Sequence, residues 1–141
     1  MLLDANALLL PVRVRFPLES EVDRVHPGAR LVVPSCVIDE LDRLVARGVR
    51  GARAAAALAR DFPILPVEGR GDAAILQAAV RHGAWVVTAD RALAERLRRR
   101  GVSVLVPRDR HRLEVHRGRA PAPSSPSSGA RGEPARRRQR L

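Results

Sequence analysis

A three-layer α/β/α sandwich with a central parallel sheet is the fold class this sequence predicts, on three observations. Short apolar runs alternate with stretches whose apolar residues recur at helical spacing. Apart from Ser103, those short runs carry no interior polar residue, as strands do when helices cover both faces of a parallel sheet. The chain is also aromatic-poor, with Phe16, Phe62, Trp85 and no Tyr, so Leu, Val, Ile and Ala must fill the core. At 141 residues there is room for one such core and not two.

Taken in order, residues 2–3 form a first short strand, followed at once by Asp4. Helix is expected within residues 5–10 and over 18–25, then a strand at 31–33. The next helix, residues 35–47, places Val37, Ile38, Leu41, Leu44 and Val45 on one face at about 100° per residue. A helix at 51–61 and a strand at 63–66 follow. Helix 72–82 carries Ile75, Leu76 and Ala79 on one stripe, and helix 91–100 carries Leu93 and Leu97. Between them lies the strand 84–88, and the strand 102–106 closes the series. Trp85 reads as core and Cys36 as a small packing residue.

Composition shifts at Gly118: "GRAPAPSSPSSGARGEPARRRQRL" is rich in Pro, Ser, Gly, Ala and Arg and has no apolar period. A folded domain is therefore expected over residues 1–117 and a disordered basic tail over 118–141. Residues 1–107 hold 16 Arg against 12 acids, a net of +4, and residues 108–141 hold 10 Arg against three, a net of +7. The overall +11 points to a polyanionic partner, and the Arg fork suits phosphate. A single Cys cannot close an internal disulfide, and no apolar run approaches a membrane span. A soluble, cytoplasmic protein with no membrane partner is the expectation.

The acids sit where ligands gather in parallel α/β sheets, past the carboxyl ends of strands. Asp4 follows the first strand, Asp90 follows the fourth, and Asp72 opens a helix. On helix 35–47, Asp39 faces solvent while Glu40 and Asp42 lie on the two edges of the apolar stripe, and periodicity does not choose between them. Each acid alone has a plain structural role: Asp4, Asp72 and Asp90 as helix caps worth about 1 kcal/mol each, Glu40 as an exposed edge. Several carboxylates meeting at one rim would repel one another and require a proton or a cation. Mg²⁺ or Mn²⁺ matches an all-oxygen set, whereas His and Cys show no zinc-type spacing.

The blocks "LLDANALL", "VPSCVIDELDRL", "GDAAILQAA" and "VVTADRAL" together resemble the successive motifs of PIN-domain ribonucleases, in order and spacing over about residues 1–107. The resemblance implies an acidic pocket of Asp4, Glu40, Asp72 and Asp90 that binds Mg²⁺ or Mn²⁺ and hydrolyses RNA. It favours Glu40 over Asp42, because the family's acid directly precedes the residue that is Leu41 here. Two departures stand out: Ala5 replaces the usual hydroxyl residue after the first acid, and Gly71 replaces a second Asp before the third. Asn6, Ser35 and Thr88 are expected to orient the carboxylates. Weaker candidates for RNA contact are Arg70, Arg98, Arg99 and Arg100, with Arg136, Arg137 and Arg138 in the tail. The nearest likeness is to archaeal single-domain PIN proteins related to ribosomal-RNA-processing nucleases. A VapC-type toxin or a non-cutting RNA-binding scaffold are the alternatives. Partners left open are a homodimer or higher oligomer, an antitoxin and a ribosome-assembly protein.

Overall fold

A computed structural model describes residues 1–119. The tail expected from residue 118, and with it Arg136, Arg137 and Arg138, lies outside the described residues from position 120 onward.

Six strands and six helices follow one another among the described residues: β1 Leu2–Leu3, α1 Ala5–Val14, α2 Leu18–Val25, β2 Val33–Pro34, α3 Ser35–Ala46, α4 Ala52–Ala59, β3 Ile64–Leu65, α5 Gly71–His82, β4 Val86–Val87, α6 Arg91–Arg99, β5 Val104–Pro107 and β6 Leu113–His116. β1, β4 and β5 run parallel to one another, and β2 runs parallel to β3. A parallel bridge between Leu2 and Val32 joins the two groups, with Leu3 N–H donating to the Val32 carbonyl at 3.0 Å. The spatial order is thus β3-β2-β1-β4-β5-β6. Successive strands step one way from β1 to β3 and the other way from β4 to β5. The chain therefore reverses between β1 and β4, which opens a crevice at the carboxyl ends of those two strands.

Burial explains why such short strands persist. Leu2, Leu3, Val33, Val86, Val87, Val104 and Leu105 are all buried in one continuous core with residues from the helices. In α4 the buried positions are Ala52, Ala55, Ala56 and Ala59, a stripe of small side chains that lets α4 lie close against α1 and α3. No helix among the described residues is long and apolar enough to cross a membrane.

The central sheet is mostly parallel, as expected, but four details differ. α1 runs past residue 10 to Val14 with Pro11 inside it. Pro11 has no N–H to offer the preceding turn, yet burial of Ala7, Leu8 and Leu9 against the core carries the helix through. It stops at Arg15, whose φ of 54° is left-handed. The second difference is β6, which pairs antiparallel with β5 and was not expected. Its alternation of Leu113 and Val115 with Glu114 and His116 is masked by the charged run "RDRHR". There Asp109 accepts from the N–H groups of His111 (2.8 Å) and Arg112 (2.9 Å) to build the turn.

Trp85 is the third difference. It is only partly buried, with His26 edge-on at 4.7 Å between ring centroids and the Arg117 guanidinium 5.2 Å from its ring. Lastly, Gly118 and Arg119 still belong to the packed structure. Gly118 N–H donates to the Ser103 hydroxyl at 3.0 Å, and Arg119 N–H to the Arg98 carbonyl at 2.9 Å. A side chain at position 118 would overlap the Gly101 carbonyl and the Val102 nitrogen, so only glycine fits there.

β6 is fastened to the rest by Glu21 of α2. The buried carboxylate accepts from Leu113 N–H at 2.8 Å and from two Arg24 nitrogens at 2.9 and 3.0 Å. Arg24 also donates to the Leu113 carbonyl at 2.9 Å. The Arg24 hydrogen bonds, helped by Leu113 N–H, hold the Glu21 carboxyl down at about 2.

Candidate active site

Asp4, Glu40, Asp72 and Asp90 line one cleft of about 220 Å³, together with Asn6, Cys36, Gly71 and apolar neighbours. The four acids come from four different places in the chain. Asp4 leaves β1 and caps α1, its Oδ1 accepting from Ala5 N–H at 2.7 Å. Asp90 leaves β4 and caps α6, accepting from Leu93 N–H at 3.1 Å. Glu40 stands on α3. Asp72 lies in the first turn of α5 and is not its cap, because the helix starts at Gly71 and the cap position is Arg70. Gly71 has φ of 71°, a turn that favours glycine and that an aspartate at this position would strain.

Thr88 ties the two strand ends together. Its hydroxyl donates to Asp4 Oδ2 at 2.6 Å and accepts from Asp90 N–H at 3.0 Å. Both Asp4 oxygens are therefore held by single hydrogen bonds, and each keeps a lone pair free. Asp4 is buried, and no Arg, Lys or His pairs with it among the described residues. Burial raises its pKa, the Thr88 and Ala5 hydrogen bonds oppose that, and the charges of Asp72 and Asp90 add to it. Asp72 is raised too, first by burial and then by Asp90, with Arg96 pulling the other way.

The remaining candidates divide. Asn6 is exposed on the cleft wall. Ser35 is turned away: its hydroxyl donates to the Val67 carbonyl at 3.2 Å and accepts from Val67 N–H at 2.9 Å, closing the loop after β3 instead of reaching an acid. Arg70 is exposed at the start of α5 and does not line the cleft. Asp42 is within 3.5 Å of Arg60, away from the cleft, so the edge of α3 facing the acids is the one with Glu40. Two arginines that sequence reasoning overlooked do meet the acids: Arg43 with Glu40 at 2.9 Å and Arg96 with Asp72 at 3.9 Å. Arg43 follows Glu40 by three residues, a spacing legible in the sequence, whereas Arg96 approaches from another helix.

The model of a PIN like domain matches residues 1–110. The chain belongs to the PIN-like domain family. A solved structure titled "Structure of the PIN domain endonuclease Utp24" is similar in fold, with a TM-score of 0.70 at 24% identity, covering 82% of this chain and 90% of that one. No curated protein matches the sequence. In this PIN-like fold the cleft occupies the crevice between β1 and β4, so the acid set and the strand reversal coincide.

The donor set of the cleft is oxygen-rich, which suits hard divalent cations. Among the described residues, no three His, Cys, Asp or Glu side chains already stand at a metal-holding spacing. Glu40 and Asp72 instead lean toward arginines at exposed positions, pairs worth at most about 1 kcal/mol each. Such weak ties would yield to a cation.

Proposed function

We propose that this PIN-like chain is a divalent-metal-dependent endoribonuclease acting in RNA processing, ribosomal RNA being the first class to try. One observation carries the reading. A buried carboxylate, Asp4, has neutral hydrogen-bond donors but, among the described residues, no cationic partner, and three further acids line the same cleft. Burying a carboxylate that way is costly unless something positive comes to it. The Arg excess of the chain, with the family resemblance, supports RNA as the polyanion.

On this reading Asp4, Glu40, Asp72 and Asp90 hold Mg²⁺ or Mn²⁺. When bound, the ion supplies an acidified water and neutralises charge at the scissile phosphate. The protein's part is positional. Thr88 fixes the rotamers of Asp4 and the backbone of Asp90 relative to each other, so the two strand-end oxygens stay aligned. Leu93 N–H holds Asp90 at the start of α6. Ile75 and Val37 supply an apolar wall of the cleft that holds Asp4. A reducing, cytoplasmic setting agrees with the buried free thiol of Cys36.

The test is cleavage of single-stranded and structured RNA with Mn²⁺, Mg²⁺ or chelator, wild type beside Asp90→Asn. Asparagine caps a helix as well as aspartate does, so circular dichroism should be unchanged while activity falls by about 10²–10³-fold. Full cleavage by the folded variant, or equal cleavage in chelator, would sink the proposal.

A further inference from the structure

A second groove, of about 400 Å³, adjoins the acid cleft on the α6 side. Its lining begins with Ala89 and Arg91, the residues on either side of Asp90, and continues through Glu95 and Arg98 to Val106 and His116. Arg91, Glu95 and Arg98 recur at four and three residues, one face of α6, while β5 and β6 supply the opposite wall. From Arg91 to Arg98 the helix rises about 10 Å.

The charges of this groove are unbalanced. Glu95 is the acid of its floor, and three arginines share it: Arg119 at 2.9 Å, Arg99 at 3.5 Å and Arg98 at 3.6 Å. One carboxylate cannot neutralise three guanidiniums, so positive charge is left over along α6. Arg91 is exposed, and no ion pair engages it among the described residues. It also stands at the first position of a helix, where the macrodipole disfavours a cation. Helix stability therefore gives no reason for Arg91.

We infer that the groove between α6 and the β5–β6 hairpin carries the phosphodiester backbone of a single RNA strand away from the acid cleft, with Arg91 gripping the phosphate next to Asp90. This rests on the nuclease reading for its substrate, but binding and cutting are separable. Arg98, whose Nε already donates to the Arg117 carbonyl at 3.0 Å, holds the far wall and offers the phosphate path its remaining charge. The alternative path runs along α5, where Arg81 and Arg100 line a separate cavity of about 580 Å³.

The experiment measures fluorescence anisotropy of a labelled 12-nucleotide single-stranded RNA, in chelator, across a salt series. Wild type is compared with Arg91→Ala, Arg91→Lys and Arg81→Ala, each checked by circular dichroism. Arg91→Ala should weaken binding about tenfold at low salt and reduce the salt slope by about 0.7, the share of one phosphate on a single strand. Arg91→Lys should recover most of the affinity, and with Mn²⁺ the alanine variant should raise KM more than it lowers kcat. Wild-type binding unchanged by Arg91→Ala would overturn the groove, the more so if Arg81→Ala weakens it. Absence of RNA binding by wild type would overturn it as well. Binding that depends on Arg91 without cleavage in any metal would leave the groove standing and remove the nuclease reading instead.

Discussion

Two carboxylates in this molecule are almost equally hidden, Asp4 at 5% exposure and Glu21 at 6%, yet they are shifted in opposite directions. Both accept a backbone N–H. What separates them is the company they keep. Glu21 receives a guanidinium in a two-pronged contact and is held ionised far below its usual range. Asp4 receives a hydroxyl and faces two further acids, so burial wins and its charge is resisted. One buried acid is spent on fastening β6 to α2, and the other is left electrostatically unfinished in a cleft. A buried acid is thus structural or chemical according to whether the chain itself supplies the countercharge.

The largest expected effect is on the fastened side. Glu21→Ala strands the buried Leu113 N–H and frees Arg24, which should cost about 2–3 kcal/mol in urea denaturation. Hydrogen exchange at Leu113 should quicken. Glu21→Gln keeps an acceptor and should cost less. The sign with pH follows from a folded pKa of about 2 against an ordinary 4.5: the contribution is full above 4.5 and is lost as pH falls toward 2. Wild-type stability should therefore decline more steeply over that window than that of Glu21→Gln, and parallel curves would break the contrast.

On the open side, Thr88→Val removes the hydroxyl that joins Asp4 to Asp90 while keeping the shape of the side chain. Cleavage should fall about 10–100-fold, with Thr88→Ser restoring most of it. An unchanged rate would mean that the two acids need no alignment. The smallest effect sharpens the comparison most. Asp4→Asn in chelator should stabilise the protein by roughly 1 kcal/mol, because the charge it deletes is one the fold resists. A lower Tm for Asp4→Asn would show that Asp4 is a second structural acid like Glu21.

Much of this was legible in residue order. The apolar runs and helical stripes predict five strands and the approximate position of every helix, since burial on both sides leaves a plain pattern. Asp4 and Asp90 could be placed because strand ends are visible as the point where apolar runs stop. Glu40 against Asp42 could not be decided by periodicity, as both sit on edges of one stripe, and only packing against α4 draws Asp42 toward Arg60. β6 was hidden because its alternation is short and its neighbours are charged, and the role of Glu21 because Leu113 lies 92 residues from it and 89 from Arg24. Ser35 misled for a related reason: a hydroxyl near an acid in sequence is captured by whichever backbone packs closest, here Val67. Pairings across elements are tertiary facts, and no local rule encodes them.

Gly118 sets a practical limit on how this protein can be shortened. Composition alone suggests cutting just before it, where the Pro- and Ser-rich sequence begins. Such a cut would delete a residue seated against Gly101, together with the Arg119 contacts to Arg98 and Glu95. The end of α6 would lose its clasp, and the Glu95 carboxylate one of its three arginines. A shortened protein for crystallisation or tagging should keep at least residue 119, and a saturation screen should find position 118 as intolerant as any core site.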